Sequence, residues 1–207
     1  GITIDGASAS MLYTHATTSF DFNKPINVTG ASTFSGDVFI NSALPRIEMK
    51  LNGGTAGYVT IAGGNNQIVT GSVSGDMAFR VINKSYLFSV DNGSSSALSI
   101  SSGGLVGIGT ATFESSWSGY TVLKIGADNS IYGNTATNAG SAFFISQNLY
   151  QGASNHKYVG AGSNEGGVID LRNGTFTYST APAGTAGNNA TITSRLSISN
   201  AGDFSVG

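Results

Sequence analysis

Two stretches of this chain, LSISSGGLVGIG at 98–109 and LSISNAGDFSVG at 196–207, are copies of one twelve-residue unit, identical at six positions. The substitutions keep the apolar alternation, with Phe204 standing for Val106 and Val206 for Ile108. Each copy reads as strand, glycine turn, strand, and each closes a longer block holding several strands. A chain that repeats such a unit is expected to stack one block on the next. That places two β-modules at 26–110 and 111–207, with 1–25 as an N-terminal connector or the end of a preceding module. The second copy closes the chain without a cap, so an excerpt from a longer protein is expected.

The rest of the sequence supports an all-β reading. Short period-2 runs recur at Ile26/Val28, Val38/Ile40, Val59/Ile61, Phe79/Val81, Leu98/Ile100, Phe176/Tyr178 and Leu196/Ile198, each expected to be a half-buried strand. Asn52-Gly53, Asp91-Asn92-Gly93 and Asn173-Gly174 between such runs supply the positive φ that tight hairpins need. Charged residues are only 10% of the chain and net charge is −2, yet hydrophobic residues reach 40%, which fits a packed, neutral protein better than a disordered one. With 9 basic and 11 acidic residues scattered singly, there is no footprint for nucleic acid. No apolar run is long enough to span a bilayer as a helix, so no membrane insertion is expected. There are no cysteines, which excludes disulfides and thiolate metal sites.

The pattern LSISSGGLVGIGT at 98–110, the unit INVTGASTFSGDVFI at 26–40, and the block from Ser141 to Gly207 with RNGTFTYSTA at 172–181 resemble the shaft repeats of phage tail-fibre and tailspike proteins. The resemblance covers most of the chain from Ile26 onward, and short Gly/Ser/Ile patterns of this kind also occur in bacterial trimeric surface adhesins. It implies tandem modules of short antiparallel strands in an elongated, intertwined homotrimeric fibre. The implied setting is the virion, outside cells, with neighbouring fibre or tail proteins and host surface polysaccharide as partners. The self-cleaving chaperone domain that ends many such fibres has no counterpart here, and no binding residue carries over by motif. Physics points the same way: strands with few charges leave open edges, and winding three copies about one axis pairs those edges and joins apolar rows in a shared core.

GGLVGIG at 103–109 lacks the helix N-terminus or Lys-Ser/Thr pair that holds a phosphate, so it reads as a turn with close backbone packing. Glu114, Asp128, Glu165 and Asp170 are the carboxylates from which a glycosidase pair would have to come, and none has a recognisable spacing. His15 and His156 stand apart without neighbouring ligands. No catalytic group, cofactor or metal is therefore expected, and the chain reads as no enzyme. Trp117, Tyr120, Tyr132, Tyr150 and Tyr158 lie among Asn, Gln and Ser, where flat rings stack on sugars and amides bond their hydroxyls. The competing reading, which is favoured, places these rings in a core between strands or subunits.

Overall fold

The computed structural model describes residues 11–14, 19–22, 25–52, 54–93, 95–114, 117, 119–134, 140–160 and 164–207. They are all-β, with no helix among the described residues. The chain divides into two compact units, Gly1–Pro45 and Arg46–Gly207.

The first unit holds one antiparallel hairpin, β1 (Met11–Thr14) with β2 (Ser19–Phe22). The strands expected around Ile26/Val28 and Val38/Ile40 do not form: 25–45 carries no strand, and Ile26, Val28, Phe34, Val38 and Phe39 are exposed. Two short strands with no third element to pack on are marginal in water, which is why alternation alone fails to fold them.

The second unit begins with a three-stranded antiparallel sheet of β3 (Arg46–Leu51), β4 (Gly54–Ile61) and β5 (Met77–Val81). One of its faces is polar, with Glu48 between Arg46 and Lys50 and with Arg80 bonded to the Tyr58 hydroxyl at 2.7 Å. The other carries the opposed row Ile47, Val59 and Phe79.

The remaining strands are β6 (Tyr86–Phe88), β7 (Leu98–Ile100), β8 (Val106–Ile108), β9 (Tyr120–Ile125), β10 (Asn129–Asn134), β11 (Ala142–Gln147), β12 (Leu149–Gln151), β13 (His156–Tyr158), β14 (Gly166–Arg172), β15 (Thr175–Ala181), β16 (Thr193–Ile198) and β17 (Phe204–Val206). All but β12 and β13, which form a separate hairpin, build one 10-stranded sheet in the order β17-β16-β15-β14-β11-β10-β9-β8-β7-β6. Pairing is antiparallel except between β8 and β9, which run parallel. The sheet continues across residue 110 through this parallel pair, and the compact units divide after Pro45. A parallel step needs a crossover, and the segment between β8 and β9 supplies it over one face of the sheet. Ser99 Oγ donates to the Thr110 carbonyl at 2.7 Å, holding the start of the crossover down. Gly107 leaves the room: a Cβ there would run into the Thr110 carbonyl oxygen and come within 2.7 Å of Ser99 Oγ.

The repeated unit is the same object twice. In the first copy Leu98 opposes Ile108 and Ile100 opposes Val106; in the second Leu196 opposes Val206 and Ile198 opposes Phe204. Ser101 Oγ accepts the Leu105 N–H at 3.0 Å, as Ser199 Oγ accepts the Asp203 N–H at 3.1 Å. Gly104 and Gly202 both take positive φ, 80° and 91°, and donate to the Ser101 and Ser199 carbonyls. The expected Asn turns also form, with Asn52, Asn92 and Asn173 at φ 52°, 62° and 52°.

Candidate functional site

The two faces of the large sheet have opposite fates. One is covered within the chain by the crossover, with Phe113 and Trp117, and by Leu149, Tyr150 and Tyr158 of the β12–β13 hairpin, which pack with Val122, Tyr132, Phe144 and Val168 of the sheet. The aromatic residues considered for sugar stacking fall here. Trp117, Tyr132, Tyr150 and Tyr158 are buried, and Tyr120 is partly buried against them. Tyr132 stacks on Phe144 with centroids 4.7 Å apart, and the Trp117 and Tyr120 rings meet Tyr132 at 4.9 Å and 5.7 Å. Tyr150 also packs against Trp117, with ring centroids 5.8 Å apart, and the Tyr158 ring lies against Gly184. The Tyr158 hydroxyl donates to the Pro182 carbonyl at 2.7 Å, and the Trp117 indole N–H to Glu114 Oε2 at 3.0 Å.

The same covered face is unusually polar. Ser99, Lys124, Ser130, Ser146 and Ser179 are buried on it, Lys124 in an ion pair with Glu114. Ser130 and Ser146 bond each other at 2.8 Å, and Ser146 Oγ donates to the Leu149 carbonyl at 2.7 Å. Burial pushes the Tyr132 phenol well above its usual range. Burial, with the Arg172 charge adding to it, lowers His156 to about 4, so this ring is neutral at pH 7. Tyr132 Oη, His156 Nε2 and Asp170 Oδ1 are buried without a hydrogen-bond partner. Burial raises the Asp170 carboxyl as well, opposed by Arg172, whose guanidinium lies 3.1 Å from it and 5.5 Å from the Phe144 ring centroid. His15 falls outside the described residues, and among the described residues no three His, Asp or Glu side chains gather as a metal site would require.

The opposite face is open, and it too carries apolar residues. Reading across from β6 to β17, directly opposed positions are Tyr86, Ile100, Val106, Leu123, Ile131, Ile145, Ile169, Tyr178, Leu196 and Val206, one apolar residue from every strand. A second row, one pleat away, runs Phe143, Leu171, Phe176, Ile198 and Phe204. On the other side of the first, Phe88, Leu98, Ile108 and Ile125 continue into Asn129, Gln147, Gly167 and Thr180. Ile145 is 44%, Phe204 66% and Val206 71% exposed, whereas Ser99 is 1% and Lys124 3% exposed. No charged side chain stands in these rows.

Hollows interrupt the face. One, with a volume of about 310 Å³, lies over Gly167 between Ile145, Ile169 and Tyr178. At one margin a polar groove of about 510 Å³ is lined by Asp128, Glu165, Asn129, Gln147, Asn164 and Tyr178. Two of the four carboxylates picked from the sequence thus meet in one groove, although no sequence spacing pointed to it. The other two do not join them: Glu114 is held by Lys124 and Trp117, and Asp170 by Arg172. At the opposite margin a further hollow is lined by Leu171, Arg172, Phe176 and Ile198.

The expected alternation of Leu196 and Ile198 against Ser197 is present, with Leu196 partly buried and Ile198 39% exposed. In β11, AFFI places apolar side chains on both faces, one buried and one exposed. No protein-family model and no curated protein matches the chain.

Proposed function

We propose that this chain is a structural segment of an extracellular attachment fibre of the kind a tailed phage carries, working as a homotrimeric shaft that supports contact with the host surface. One observation carries the reading: around an apolar core of Val122, Tyr132, Phe144 and Val168 the sheet also buries serines and a lysine inside the chain, while leaving a second set of isoleucines, phenylalanines and valines open. A lone soluble chain gains by the reverse arrangement, since each large aliphatic side chain left in water forgoes about 1.5–3 kcal/mol. An apolar face beyond a few hundred Å² marks an interaction surface. An obligate assembly resolves the contradiction, because both faces are then covered. The three-stranded sheet repeats the theme, with charges on one side and Ile47, Met49 and Phe79 exposed on the other. No chemical step is assigned to the chain in this role.

Light scattering on a sizing column tests the reading. The expected species has about three times the chain mass of 21.0 kDa and elutes early for that mass. A compact monomer would overturn it.

The polar groove favours a second reading, in which the segment also contacts host glycans. Carboxylates and amides over a tyrosine ring suit a hydroxyl-rich ligand. Glu165→Gln with Asp128→Asn would then abolish binding on a glycan array while leaving the trimer mass unchanged. An array with no bound glycan removes this reading and leaves the shaft.

A further inference from the structure

We propose that three copies of this chain close on a common axis through the open sheet face, with the apolar row lying along the axis and the strands running across it. The inference rests on the fibre reading and adds which surface meets, in which direction, and which residues face one another.

The shape of the sheet makes the argument. Its 10 strands are 3 to 7 residues long. At about 4.8 Å between strands and about 3.3 Å per residue, it is a strip roughly 43 Å long and, for a five-residue strand, roughly 17 Å wide. The apolar row follows the long dimension. Three strips set as the sides of a triangle of about 17 Å would each stand about 5 Å from its centre. That is half the roughly 10 Å separating facing sheets, so side chains fill the interior and leave no channel. A ring of more strips would open a channel that apolar side chains cannot line stably in water. Twist does not spoil the fit, because strips related by an axis along the row share whatever twist one of them has.

Area and charge agree. The full-length row and the two roughly half-length apolar rows beside it, each about 7 Å wide, give a projected area of about 600 Å² per chain, beyond the few hundred Å² at which an exposed patch marks an interaction surface. The rows carry no charge, so copies approach the axis without repulsion. The margins are unlike: Asp128 and Glu165 line the hollow at one, with Arg195 reaching Thr180 beside them, and Arg172 lines the hollow at the other. An arrangement about an axis along the row sets each margin beside the opposite margin of the next copy, so no two like margins meet.

The chain has no cysteine, so Ile145→Cys puts a single thiol in the middle of the row. Treatment of the assembled protein with a short bismaleimide, which tolerates separations a disulfide does not, is expected to link two copies through position 145. One thiol per chain allows only two of three chains to be joined, so linkage should plateau near two-thirds. Ile131→Cys on the next strand should behave alike, and Ser154→Cys, in the exposed turn after β12, should not link. Ile145→Asp should lower the mass threefold while the β-type circular dichroism is kept. A trimer that fails to link at both 145 and 131 overturns this interface and leaves the fibre reading standing. Complete conversion to linked pairs, with a two-chain native mass, overturns the threefold arrangement. A monomer overturns both.

Discussion

Lys124 lies under the crossover in an ion pair with Glu114, their side chains only 4% and 14% exposed, while the second oxygen of the same carboxylate accepts the Trp117 indole N–H. One carboxylate therefore ties the crossover to the sheet at a buried cation. Removing one partner of such a pair strands a charge away from water and costs about 3–5 kcal/mol. Glu114→Gln should lower stability by that order in urea melts at fixed protein concentration. Lys124→Met added to it should recover much of the loss. Equal melts for wild type and Glu114→Gln would show that the pair contributes nothing.

His156 makes stability depend on acid. Its folded pKa of about 4 lies below the ordinary 6.5, so between those values the unfolded chain binds the proton that the folded chain refuses. Its contribution is complete above pH 6.5 and lost as pH falls toward 4, a change of about 3 kcal/mol at 1.36 kcal/mol per unit. Asp170, raised by burial, acts in the opposite sense and adds stability as pH falls through its own titration. Urea midpoints between pH 7 and pH 4.5 should drop in the native protein and change much less in His156→Gln. A flat native profile would refute the assignment.

Trp117 is 5% exposed and touches both Tyr132 and Tyr150. Trp117→Ala should cost about 3–5 kcal/mol through the cavity it leaves, seen as a lowered thermal midpoint. A variant of native stability that had lost glycan binding would contradict its place in the core.

Gly107 and Ser205 occupy the same position in the two repeats, and only Gly107 lies beneath the crossover. Gly107→Ala should therefore destabilise by about 1–3 kcal/mol through overpacking, whereas Ser205→Ala should stay within about 0.5 kcal/mol. Similar losses at both sites would mean that the strand position, and not the crossover, sets the requirement.

The strands and turns were legible because they are written locally. Val59/Ile61, Phe79/Val81, Phe176/Tyr178 and both repeats are strands, and Asn92-Gly93 and Asn173-Gly174 take the turn geometry their types favour. What escaped is non-local. Nothing near Val106 announces that it will lie parallel to Leu123, because that pairing depends on where an irregular crossover lands. The same crossover puts Ser99 and Lys124 inside, against their usual preference, and so decides which side of the strip stays open. The groove of Asp128 and Glu165 joins positions on separate strand ends, and no spacing rule spans such a distance. At 26–40 the pattern was read correctly and the structure was not, since alternation becomes a strand only where a neighbour offers its backbone.

The repeated hairpin also sets the grain in which such a strip is able to grow. Each copy adds two strands, roughly 10 Å, with its apolar side facing the same way. Insertion or loss of a whole hairpin changes length alone. A single residue added within a strand would turn its remaining side chains over, moving isoleucines to the covered side and serines to the open one. Length in this sheet is counted in hairpins, like links added to a chain, and whole hairpins add to it without turning over any side chain.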